Sequence, residues 1–245
     1  MDSMSDRAIA EASLEAGSLE RSSGRASADE RALLAAASTS LGLRLPGHAL
    51  DQLVTYLDLL DRWSSVYNLT SVQGREARRI QHVNDSLAIL AALERRFESG
   101  TDRRVLDVGS GAGLPGTVIA IGWPDARVTC VDSVGKKAAF TRQTAATLGL
   151  PNLTALHARV EDLRGCEPYD VITARAFASL DETVRWTLPL LSRRGVWALA
   201  KGRSPDDELA DIRHRSLSFH VEQLYVPDLD AERCLVWIEQ TQASP

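Results

Sequence analysis

The sequence predicts an α/β fold in which a segment of helices precedes a seven-stranded, largely parallel sheet, and three patterns in its 245 residues carry that expectation. From Arg104 onward, short apolar runs alternate with helical patterns, as in a parallel sheet joined by crossover helices. The first run, Val105-Leu106-Asp107-Val108, breaks at once into Gly109-Ser110-Gly111-Ala112-Gly113. Pro115 then stands where a helix can begin, because the N–H it lacks would have no partner there. The last two runs are joined by Pro227 to Arg233, too short for a crossover helix, so the sheet should close with an antiparallel pair.

Composition bounds what surrounds this fold. The chain holds no run of about 18 apolar residues, and its first stretch mixes Asp2, Asp6, Arg7 and Glu11 with small residues instead of an apolar leader. A cytoplasmic protein with no membrane partner is expected. Cys130, Cys166 and Cys234 are odd in number and widely spaced, so neither a disulfide framework nor a metal site is expected, and Cys130 should pack as a small apolar residue. The net charge of −5 argues at first against nucleic acid, but residues 1–30 hold seven acids and three arginines, leaving 26 acids against 25 bases elsewhere. The folded part is nearly neutral, so local patches decide its partners.

Residues 1–26, rich in Ala, Ser and Glu, read as a mobile extension. Residues 27–100 read as a helical segment, and residues 101–245 as the sheet domain. Ser27 and Glu30 have capping-box spacing, followed by Leu33, Leu34, Ala37 and Leu41 at helical period and a stop at Gly42. A second helix is expected from Pro46 to Val66, with Leu50, Leu53, Val54, Leu57, Leu60 and Trp63 as its core stripe. A third should span Arg75 to Phe97, with Ile80, Val83, Leu87 and Leu90 inward. Arg75, Arg78, Arg79 and His82 then fall on another face. Eight arginines against five acids between Arg62 and Arg104 make that face either a solvated surface or a phosphate-binding patch.

The strands expected next are Val105–Val108, Arg127–Val131, Leu153–His157, Asp170–Ala174, Val196–Ala200, Val221–Val226 and Leu235–Ile238. Helices fill the gaps near 116–122, 135–148, 180–190 and 205–214. Ligands of such sheets bind at the carboxyl ends of the strands. That rule selects Gly109, Gly111, Gly113 and Leu114 after the first strand and Asp132 after the second. It adds Val160 and Glu161 past the third and Arg175 after the fourth.

Gly111 to Gly116 also satisfies G-x-G-x-x-G, so a nicotinamide oxidoreductase is one reading. The register, with Asp107 two residues before Gly109 and Asp132 nineteen after Gly113, resembles instead the first motifs of S-adenosylmethionine methyltransferases. There Asp132 would accept ribose hydroxyls. The chain has no Pro-Pro pair of the kind that holds an exocyclic amine, and no Pro-Cys nucleophile for pyrimidine C5. Guanine N7 carries a lone pair and no proton, so it needs no general base.

Further motifs sharpen the resemblance. Trp63 to Ser71 (Trp-Ser-Ser-Val-Tyr-Asn-Leu-Thr-Ser), His82-Val83-Asn84-Asp85-Ser86, the stretch Leu106 to Gly116, Asp132 to Lys137, Arg175 to Leu180 (Arg-Ala-Phe-Ala-Ser-Leu) and Lys201-Gly202 occur in this order. Together they resemble the small-subunit ribosomal RNA guanine-N7 methyltransferase G family, also called glucose-inhibited division protein B. The resemblance implies a seven-stranded Rossmann-like class I S-adenosylmethionine methyltransferase fold, S-adenosyl-L-methionine as cofactor, and methylation of guanine N7 in 16S ribosomal RNA near the decoding centre. The partner would be that RNA or the small ribosomal subunit, met by a monomer.

It also implies cofactor contacts at Gly109, Leu114, Val160, Glu161 and Arg175. RNA contacts would come from Asn68, Thr70, His82, Asp85, Lys136 and Lys201, to which the charge pattern adds Arg75, Arg78 and Arg79. Arg175, Asp85 and His82 are the candidate catalytic residues, and Trp63, Tyr67 or Phe177 could stack on a flipped guanine. Another RNA, a small-molecule substrate, or a ribosome-binding protein without turnover are the remaining alternatives.

Overall fold

The computed structural model describes residues 27–97, 102–212 and 217–241, so the extension expected at residues 1–26 lies outside it. Helix α1 runs over 27–40. The carboxylate of Glu30 there serves a longer-range contact than a capping box, because it accepts from the Arg75 guanidinium. Helix α2, Gly47–Tyr67, buries Leu50, Leu53, Val54, Leu57 and Leu60 as its periodicity requires. It ends at Asn68, whose φ of 46° places it in the left-handed region where short polar side chains are tolerated.

The third helix departs from expectation. Helix α3, Arg75–Arg78, passes into a π-helical turn, Arg79–Asn84, before α4, Asp85–Arg96. A π turn holds more residues than an α turn and re-phases the helix beyond it, so the expected cationic face does not survive as one surface. Arg79 and His82 are buried. The turn is gripped from outside: Arg79 Nη1 donates to Asp228 at 2.8 Å, and Asn84 Nδ2 to the Pro227 carbonyl at 3.0 Å.

Seven strands come next: β1 Arg104–Val108, β2 Arg127–Asp132, β3 Leu153–His157, β4 Tyr169–Arg175, β5 Leu191–Lys201, β6 Leu217–Gln223 and β7 Cys234–Gln240. Between them lie α5 Gly116–Gly122, α6 Gly135–Leu148, α7 Leu180–Thr187 and α8 Asp206–Ile212. The order across the sheet is β3-β2-β1-β4-β5-β7-β6, with β7 alone running opposite to the other six. Most strands extend a residue or more beyond the sequence reading. β6 is instead displaced toward the N-terminus, because its partner β7 fixes the register from Leu217↔Gln240 to Gln223↔Cys234.

Alternation along the strands feeds two cores. Val105, Val128, Val171, Ala198 and Leu235 face α1, α2, α4 and α5, whereas Leu106, Val131, Ile172, Trp197 and Val236 face the layer of α7 and α8. The helical segment therefore shares one core with the sheet. Strand order reverses between β1 and β4, the place where doubly wound sheets bind ligands.

Candidate active site

The loop after β1 is built to expose backbone. Gly109, Gly111 and Gly113 take φ values of 63°, 59° and 76°, a region that costs other residues about 1–2 kcal/mol. A Cβ on Gly116 would lie 2.3 Å from Cys130 Sγ, so the helix start needs glycine for close packing. From α2, the buried Tyr56 hydroxyl donates to the Ala112 carbonyl at 2.9 Å and pins the loop from behind.

Two cavities open on this loop. The first, of about 600 Å³, is lined by Gly109, Gly111, Leu114 and Arg175 together with Thr70, His82, Asp85, Lys201 and Arg233. The second, of about 470 Å³, is lined by Gly109, Asp132, Val160 and Glu161, and by Phe177 and Trp186. Gly113 lines neither; a Cβ there would meet Thr117 and Thr141, so its part is packing. Phe177 lies against Gly109 on the wall of the second cavity and meets Trp186 edge-on, and Ala176 before it holds a φ of 50°. Trp63 and Tyr67 pack against each other, with Phe140 beyond Trp63, and line neither cavity.

Asp132 accepts from Gly111 N–H at 2.9 Å on one oxygen and from Val134 N–H at 2.8 Å on the other. Each oxygen keeps a second lone pair for a diol hydroxyl. Asp107, fully buried under the loop, accepts from Gly116 N–H at 2.8 Å through Oδ2, while its Oδ1 has no donor among the described residues. Burial pushes its pKa up to about 7, against the pull of Gly116 N–H and Arg175. Bare loop backbone and an acceptor pair at Asp132, both on the cavity walls, fit an adenosyl-amino-acid ligand.

The candidate catalytic residues form a different arrangement from a free acid or base. Asp85 accepts from Arg175 Nη1 at 3.0 Å and from Arg233 Nε at 2.9 Å. Arg175 donates further to the Gln81 carbonyl at 2.8 Å and lies 3.3 Å from His82 Nδ1, and His82 Nε2 meets Thr70 Oγ1 at 2.6 Å. Burial, reinforced by the Arg175 charge, holds the His82 pKa down at about 4, so the ring is neutral at pH 7. The i,i+3 spacing of His82 and Asp85 thus serves Arg175 and not a mutual pair.

The expected RNA contacts scatter. Arg75 binds Glu30, Asp58 and Asp61, Arg78 binds Asp61, and Arg79 binds Asp228. These three arginines join α1, α2 and the β6–β7 link to α3 and the π turn and form no free cationic face. Lys201 is held by Glu208 at 2.9 Å. Asn68 and Lys136 are exposed and line neither cavity. Lys137, which the sequence reading passed over, lines both. Arg233 was missed too; its signal lay in the antiparallel β7, which returns the chain to the ligand end of the sheet.

The family model described as rRNA small subunit methyltransferase G matches residues 49–236. The chain belongs to this family. It is 49% identical over 211 residues to the ribosomal RNA small subunit methyltransferase G of Polaromonas naphthalenivorans, covering 85% of this chain and 95% of that one. The counterpart from Leptothrix cholodnii is 51% identical over 209 residues, with the same coverage. Among solved structures, the plantazolicin methyltransferase BpumL in complex with SAH is similar at a TM-score of 0.54 and 14% identity, covering 77% of this chain and 96% of that one. The YcgJ protein from Bacillus subtilis is similar at 0.51 and 15%, covering 63% and 99%. Those two likenesses concern the fold alone. Membership makes the chain an S-adenosylmethionine-dependent methyltransferase and closes the nicotinamide alternative.

Proposed function

We propose that this chain methylates N7 of a guanine in 16S ribosomal RNA, in the loop near the decoding centre, with S-adenosyl-L-methionine as methyl donor. The observation that carries this reading is that the carboxylate and the imidazole lining the first cavity are not at liberty: both Asp85 oxygens and both His82 ring nitrogens are engaged. A nucleophile that must lose a proton would find no base there, whereas N7 has none to lose.

The residues that would hold the cofactor are Gly109, Gly111 and Leu114 of the loop, Asp132 for the ribose, Val160 and Glu161 for the adenine, and Arg175. Bound there, S-adenosylmethionine would supply a methyl group made electrophilic by its positive sulfur. The protein's own part is alignment, which can contribute about 7–11 kcal/mol to such a transfer. Leu69 and Val72 give the first cavity apolar wall against which a purine can rest, and Thr70 is fixed there by His82.

Phosphate contact falls to cations at the ligand end of the sheet that carry no ion pair among the described residues: Lys136 and Lys137 after β2, Arg159 after β3 and Arg203 after β5. These replace the paired arginines of the third helix in the RNA footprint. The protein is read as a monomer of the cytoplasm whose substrate is the small ribosomal subunit or its RNA. Among the described residues no helix is long and apolar enough to cross a membrane.

The test incubates the protein with labelled S-adenosylmethionine and small-subunit particles from cells lacking it, followed by digestion to nucleosides. Label in 7-methylguanosine is the expected result. Label in another nucleoside, or none while cofactor binds, would overturn it.

A further inference from the structure

Four cations line the first cavity, Lys137, Arg175, Lys201 and Arg233, against one carboxylate, Asp85. Glu208 holds Lys201 from outside the lining, so Asp85 and Glu208 together balance two of the four. A sulfonium amino acid does not discharge the rest, since its sulfonium and ammonium outnumber its carboxylate. The cavity is left with a demand for an anion, and a phosphodiester meets it.

Arg233 is the group shaped for that contact. It stands in the link between β6 and β7, donates Nε to Asp85 at 2.9 Å and Nη1 to the Glu232 carbonyl at 2.8 Å, and leaves Nη2 without a protein acceptor among the described residues. Asp85 is almost fully buried and takes Arg175 on its other oxygen, so one carboxylate fixes two guanidiniums that arrive from chain segments 58 residues apart. We propose that Arg233 binds the phosphodiester flanking the methylated nucleotide and that Asp85 is its positioning residue. The proposal rests on the reading that the substrate is RNA, and it adds a substrate contact to a site whose cofactor arm is Arg175.

The decisive variant is Asp85→Asn, because charge and position predict opposite outcomes. Removing the carboxylate makes the cavity more positive, which by charge alone tightens anion binding; if Asp85 positions Arg233, binding weakens instead. Affinity for undermethylated small-subunit particles is measured across a salt series, with affinity for S-adenosylhomocysteine measured by calorimetry and folding by urea denaturation. Arg233→Gln should bind particles about tenfold more weakly and lower the slope of log affinity against log salt by about one. Its affinity for S-adenosylhomocysteine should stay within about twofold of wild type. Asp85→Asn should weaken particle binding in the same direction.

Equal or tighter particle binding by Asp85→Asn overturns the positioning role. Lost S-adenosylhomocysteine affinity in Arg233→Gln at an unchanged salt slope assigns Arg233 to the cofactor and overturns the phosphate contact. Should Asp85→Asn fail to fold, Arg233→Lys decides, since it keeps the charge without the Nε contact; full wild-type affinity there counts against positioning. The readouts are equilibrium binding and need no methyl transfer, so the identity of the methylated atom can fail separately.

Discussion

The Tyr56 hydroxyl reaches from the middle of α2 to the Ala112 carbonyl, 2.9 Å away, and is the hydrogen bond that ties the helical segment to the glycine loop. Desolvation raises the Tyr56 pKa far above that of a free phenol, so the hydroxyl remains a donor at every working pH. Tyr56→Phe keeps the ring and its edge contact with Phe140 but leaves the carbonyl unpaired. Stability should fall by about 1 kcal/mol in urea titrations, and S-adenosylmethionine affinity by calorimetry should fall several-fold. Unchanged cofactor affinity would show that the loop holds its shape without this tie.

Two glycines of one loop should fail in different ways. Gly111 has open space around its missing Cβ, so Gly111→Arg should fold cooperatively and lose cofactor binding, the cavity being filled by the new side chain. Gly116 has Cys130 Sγ and Asp107 Oδ2 where its Cβ would go, so Gly116→Ala should cost about 1–3 kcal/mol of stability. The left-handed φ of Gly111 adds a cost of about 1–2 kcal/mol to its own variant, so calorimetry separates the two, and cofactor affinity retained in a folded Gly111→Arg would contradict the distinction.

Asp107 should make stability pH-dependent. Its folded pKa of about 7 lies above the ordinary 3.8, so between roughly pH 4 and 7 the folded chain keeps a proton that the unfolded chain has released. Stability from this group therefore declines as pH rises through that window. His82 acts oppositely: with a folded pKa of about 4, its contribution rises with pH up to about 6.5. Asp107→Asn isolates the first effect. The stability of that variant minus wild type, from urea midpoints at pH 5 and pH 8, should be more favourable at pH 8; a difference that does not change with pH would refute the assignment.

Buried and free cations should separate cleanly. Arg79→Ala strips a buried guanidinium from Asp228 and should lose about 1–3 kcal/mol of stability. Lys137→Gln with Arg159→Gln should leave urea midpoints in place and reduce the salt slope of RNA binding by about 0.7–0.9 per cation removed. A lost slope in Arg79→Ala with stability intact would return the third helix to the RNA footprint.

The sheet was legible in sequence because its central strands are buried on both faces and written as short, mostly apolar runs, and because the run up to Val108 ends in glycines. The antiparallel close was legible from the length of the Pro227 to Arg233 link. The ion pairing of the third helix was not legible, because spacing places residues on a helix but says nothing of acids that approach from other elements, and Glu30, Asp61 and Asp228 all do. Arg233 and Tyr56 escaped notice because each meets its partner across more than fifty residues of chain, through contacts that no local pattern records.

The π-helical turn at Arg79–Asn84 makes the site depend on chain length as well as on chemistry. Each residue of an α-helix turns the next by about 100°, so removing one residue from this stretch would let it relax to ordinary α-geometry. Helix α4 and Asp85 would keep their phase, because the wide turn is itself the extra residue, but His82 and Asn84 inside it would shift against Thr70 and the Pro227 carbonyl. A loss of three nucleotides in frame here should therefore disturb the cavity wall at His82 while leaving Asp85 on its two arginines, and a comparison of residue types alone would not reveal it.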